Sequence, residues 1–90
     1  MAIINEMKFK VIKAASKRAE WDELMEMFNE EEVNSMREYM LISEYSFTDL
    51  SLTTKEGVIY NFIRHIVVEL ITKEDWVNAR NIFDYLYEIF

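Results

Sequence analysis

Residues 58–71 read VIYNFIRHIVVELI, and this stretch decides the fold. Val58, Ile59, Phe62, Ile63, Ile66, Val67, Leu70 and Ile71 recur at helical spacing and cover more than half of a helix circumference. A helix with so wide an apolar face belongs at the centre of a fold. Asn61, Arg64, His65 and Glu69 interrupt the run, which also falls short of the roughly 20 residues a membrane-spanning helix needs. Phe62, Ile66 and Leu70 are the expected heart of the core. Just upstream, Thr53-Thr54-Lys55-Glu56 has the pattern of a capping box that opens this helix.

Helical patterning continues on both sides. Ile4, Met7, Val11, Ala14, Arg18, Trp21, Met25 and Phe28 keep a 3-4 spacing, one long stripe in which Arg18 is the polar member and Ser16 marks a place for a kink or break. Locally, Met7, Phe9 and Val11 also alternate like a strand, but the long stripe outweighs that pattern. Asn29 followed by Glu32 has the form of an N-cap with an acidic third residue, and Val33, Met36 and Met40 carry a second helix onward. Residues 44–52 lose the helical period, and Tyr45, Phe47, Leu50 and Leu52 are expected to pin a connecting segment to the core. Thr72 with Asp75 starts the last helix. Its inward stripe is expected to be Trp76, Ala79, Phe83, Leu86 and Phe90, widened by Ile82 and Ile89. The expectation is an all-α fold, a compact bundle of about four helices, with residues 1–90 forming a single domain. Ninety residues with 51% hydrophobic content suffice for one core, since folding at this size buries about 65% of the chain's surface.

The residue inventory narrows the chemistry. With no Cys there is no disulfide framework, cysteine nucleophile or thiolate metal site. One His, one Gly and no Pro leave little from which to build a catalytic constellation or a phosphate-binding loop. His65 and Glu69 stand one turn apart and point to the same side of a helix, yet a metal site needs three or four ligands and a second His is missing. A neighbour-bonded histidine is the better reading. The chain is expected to be no enzyme, to carry no cofactor or metal and to take no small-molecule substrate. The first residues have neither the continuous apolar core nor the cleavage site of a signal peptide, so a cytoplasmic location is expected.

The net charge of −7 is unevenly spread. Residues 1–19 carry five bases against Glu6, whereas residues 20–49 carry ten acids against Arg37. An acidic domain is repelled by phosphate, which disfavours direct nucleic-acid binding. The bases near the start pair locally by spacing: Glu6 with Lys10, Arg18 with Asp22, Lys17 with Glu20. The acids of residues 20–32 raise the alternative of a DNA mimic, and Glu30 and Glu31 are expected partner-binding residues. The end of the chain, with Trp76, Ala79 and paired apolar residues before an acidic terminus, is similar to acidic phage antirestriction proteins, though the pattern is too generic to define a family.

Aromatic residues point elsewhere. Thirteen occur in the chain and five lie in the last fifteen positions: Trp76, Phe83, Tyr85, Tyr87 and Phe90. Successive helical residues are turned by 100°, so one stripe cannot hide them all. Tyr85, Tyr87 and Phe90 are the expected anchors of a binding surface, with Trp76 assigned to the core. The methionines Met25, Met27, Met36 and Met40 suit either an adaptable second surface or core filler. The function expected is a small acidic helical protein-binding module, a phage or mobile-element inhibitor or regulator of a host protein. Its partner is another protein or itself, as a homodimer. The alternatives are a structural homo-oligomer subunit and the DNA mimic.

Overall fold

Helix capping and backbone reversal set the element order of the computed structural model, which describes residues 2–42 and 50–89. Among these are five α-helices and one 3₁₀ turn, and no strand: α1 Ala2–Ser16, α2 Trp21–Glu26, α3 Glu30–Ile42, the 3₁₀ segment Leu50–Thr53, α4 Lys55–Thr72 and α5 Trp76–Ile89. The expected first helix divides in two at Ser16. Arg18 takes a left-handed conformation with φ of 52°, its N–H donates to the Ala15 carbonyl, and the Ala19 N–H reaches back to Ala14 at 3.0 Å. This is the Schellman closure of a helix C-terminus, made here without glycine.

The same closure ends α4. Glu74 has φ of 60°, its N–H donates to Ile71, and the Asp75 N–H donates to Leu70 at 2.8 Å. Asp75 then serves the start of α5, its carboxylate accepting from the Asn78 backbone and side chain. Thr72 therefore closes α4 rather than opening α5. At the start of α3 the expected cap is present in reciprocal form: Glu32 N–H donates to Asn29 Oδ1 at 2.8 Å, and Asn29 N–H to Glu32 Oε1 at 3.0 Å. The α4 cap lies one residue later than the sequence pattern places it. Thr54 is the N-cap and accepts from Gly57 N–H, while Glu56 is solvent-exposed in the first turn.

α4 is the hub, packing against α5, α3, the 3₁₀ segment and α2, while α1 lies against α5 and α3. Its Val58, Ile59, Phe62, Ile63 and Ile66 are almost wholly buried. Leu70 is only partly buried, because it sits one turn from the chain reversal that ends the helix. From α1 the core receives Ile4, Met7, Val11 and Ala14, while Phe9 points to solvent, as a helix and not a strand requires. Met36 and Met40 are buried, and Met25 and Met27 are packed against the core, so the methionines fill the interior rather than line a surface. Leu52 packs on the core and its carbonyl accepts from Arg37 Nε at 2.8 Å, which ties the 3₁₀ segment to α3. Tyr45 and Phe47 lie outside the described residues. The Cα radius of gyration is 12.0 Å, about what 90 residues in one compact body give.

Candidate interaction surface

The apolar residues of α5 exceed what its inward face can hold, and their division is not the expected one. Ala79, Ile82, Tyr85 and Leu86 form the buried side. Trp76, given to the core by its spacing, is 59% exposed, and Phe83 is 54% exposed. Tyr85, expected at the surface, is 1% exposed and its hydroxyl donates to the Ala19 carbonyl at 2.6 Å. Burial, with Glu23 nearby, pushes its phenol pKa up, so it remains a donor. The carbonyl it reaches lies just past the reversal at Arg18, whose guanidinium donates to the carbonyls of Ala15 and Asn81. Tyr87 is 79% exposed, in agreement with its assignment as a surface residue. Phe90 lies outside the described residues.

Trp76, Arg80, Phe83 and Tyr87 follow one another at spacings of four, three and four, so they form one exposed stripe along α5. Val77 and Asp84 flank it on the outer side. Between this stripe and α4 runs a line of shallow apolar concavities, and Phe83 borders each of them. One of about 460 Å³ is lined by Val67, Ile71, Trp76, Ala79, Arg80 and Phe83. Next along the helix pair are hollows of about 210 and 350 Å³, reached by Tyr60, Arg64, Leu86 and Tyr87. Two bases border this face, Arg64 over the ring of Tyr60 at 5.7 Å and the exposed Arg80. Sequence reasoning missed Phe83 and Trp76 as surface residues. The 4-3-4 spacing was the available signal, masked because both also fit the inward 3-4 pattern.

The acids behave differently. Glu30 and Glu31 are exposed in the first turn of α3, where their charge complements the helix dipole, and they border an open concavity with Asn29, Asn34, Ser35 and Glu38. Two others of the acidic segment, Glu23 and Glu32, are paired with lysines of α1 and the turn after it. Lys10 pairs with Glu32 at 2.8 Å and Lys17 with Glu23; outside that segment, Arg18 reaches Glu88 of α5 at 3.4 Å. These tertiary pairs stand in place of the three local pairs expected from spacing.

A second polar group lies inside the bundle. Lys8 of α1 donates to Glu69 of α4 at 2.7 Å and to the Tyr39 hydroxyl of α3 at 3.0 Å, and Tyr39 donates to Glu69. His65 is fully buried, its Nδ1 3.3 Å from Glu69 Oε1 and its ring edge-on to Tyr39. Burial opposes the charge on Lys8 and Glu69, but their hydrogen bonds to each other and to Tyr39 outweigh it: the lysine is held above its ordinary range and the carboxyl below. Burial, reinforced by Lys8 and opposed by Glu69, lowers the His65 pKa. The arrangement joins three helices. Among the described residues no group of three or more His, Cys, Asp or Glu is placed to hold a metal ion, and no helix is long and apolar enough to cross a membrane. Comparison with protein-family models, curated proteins and solved structures found no match.

Proposed function

We propose that this protein is a small acidic binding module that works by contact with protein, and that the α4–α5 face is where contact is made. The observation that carries this is the exposure of Trp76, Phe83 and Tyr87 in one stripe beside an apolar groove. Aromatic residues grouped with Arg64 and Arg80 are the side-chain types that anchor protein interfaces. Such a module acts by occupying a partner's surface, as an inhibitor or regulator of the kind phages and mobile elements use inside a host cell. DNA mimicry is the weaker reading, because ion pairs to Lys10 and Lys17 break up the acidic segment.

The test is affinity capture with Phe83→Ala and Tyr87→Ala beside the wild type, each checked by thermal melting. Unchanged melting with loss of a captured protein is the expected outcome. An identical captured set for all three proteins would sink the assignment of this face. A homo-oligomer is the one further reading that a specific pattern favours, and that pattern lies in α5.

A further inference from the structure

We infer that the occupant of the α4–α5 face is a second copy of this chain, seated with the two α5 helices antiparallel about a two-fold axis. The inference rests on the assignment of this face as a binding surface. It is carried by the order of residues along the exposed stripe. An axis running between the two helices, level with Ile82 along α5, brings Trp76 against the partner's Tyr87 and Phe83 beside the partner's Arg80. It also places Arg80 next to the partner's Asp84. Each of these contacts occurs twice, as a two-fold interface requires.

Every pairing is favourable. Trp against Tyr is an aromatic pair, and Arg over Phe is a cation–π contact. Arg80 is 87% exposed and its Nε stands 3.8 Å from Asp84 in the same chain, a loose contact that leaves both groups open to an intermolecular partner. A parallel arrangement sets Arg80 against the partner's Arg80 and loses this match, so charge selects the antiparallel one. The net charge of −7 opposes self-association in general, but its excess is carried by residues 20–49 and not by the sequences of α4 and α5. Area agrees as well. At their exposures Ile71, Trp76, Val77, Phe83 and Tyr87 offer on the order of 600–700 Å². Arg80 and Tyr60 extend this toward the roughly 800 Å² per partner of a standard interface.

The test is analytical ultracentrifugation of the wild type across the micromolar range, where an interface of this size associates, with far-UV circular dichroism to confirm folding of each variant. The expected mass is twice the 10.9 kDa of the chain. Arg80→Asp and Asp84→Arg should each weaken the dimer about tenfold or more, and Tyr87→Ala should do the same. The double variant Arg80→Asp/Asp84→Arg should restore association, because it exchanges the two charges without losing the pair. A monomeric wild type overturns the inference, as does a dimer indifferent to these substitutions. A monomer whose captured protein is still lost on Tyr87→Ala would overturn the second copy and leave the binding face in place.

Discussion

Glu69 accepts from Lys8 and Tyr39 while lying beside buried His65, and these four groups contribute to how stability depends on pH. The folded carboxyl of Glu69 resists protonation more than the unfolded one, so the stability it contributes is present above the ordinary carboxylate range and is lost as pH falls through the lower folded value. His65 acts in the same direction. In the unfolded chain it takes up a proton near pH ~6.5, whereas the buried ring resists until lower pH, so stability begins to fall below the ordinary histidine value. Lys8 and Tyr39 have raised values and act oppositely: their contribution is lost as pH rises past about 10. Urea midpoints should therefore form a plateau from about pH 7 to pH 10, with an acid limb starting near 6.5. In His65→Gln the early part of that limb, between about pH 6.5 and the carboxylate range, should flatten. A limb of the same shape in the variant would show that His65 takes up its proton as readily in the fold as in the unfolded chain. The i,i+4 spacing of His65 and Glu69 was legible in the sequence. Lys8 and Tyr39 were not, since 61 and 30 residues of chain separate them from Glu69.

Two helices end in left-handed residues that are not glycine, and this explains most of what the sequence concealed. A break is read from Gly or Pro, and here Arg18 and Glu74 take the position instead. The long stripe from Ile4 to Phe28 thus reads as one helix, although its chain reverses after Ser16. The direction of the reversal, which the sequence did not show, also hid the burial of Tyr85, whose hydroxyl acceptor is a carbonyl just past it. Where a cap carries its own side-chain signal, as Asn29 and Glu32 do, the helix start was readable to the residue. The strain at Glu74 is open to test. This side chain is exposed, so Glu74→Gly should stabilise the protein by about 0.5–1 kcal/mol. Arg18→Gly should gain less, because it also removes contacts to Asn81 and Glu88. Chemical denaturation of the two variants decides, and equal gains would mean that the Arg18 contacts contribute nothing.

For the whole molecule, the centre was legible and the margin was not. Residues 58–71 announced themselves because a face that wide has one place to go, and Phe62 and Ile66 occupy it. Ile66→Ala opens a cavity in the helix against which most others pack, and should cost about 2–5 kcal/mol by denaturation. An unchanged midpoint would remove α4 from the centre of the fold. The margin depends on which of several adjacent apolar residues turns outward. On α5 that choice falls between positions 100° apart, and it is settled by helices distant in sequence. Trp76 and Phe83 went outward once Ile82 and Tyr85 had taken the inward side.

The contact of α1 with α5 carries a consequence for how the chain is made. The Tyr85 hydroxyl closes on a carbonyl 66 residues earlier, and Lys8 waits 61 residues for Glu69. A ribosome adding about 5–20 residues per second releases α1 several seconds before either partner exists. During that interval the apolar side of α1 has nothing to cover it except chaperones or its own nascent neighbours. Cover on the α5 side comes only as α5 leaves the exit tunnel. Translation that stalls before α5 is complete leaves α1 with its α3 contact and its Lys8 bonds but without the α5 side of its cover.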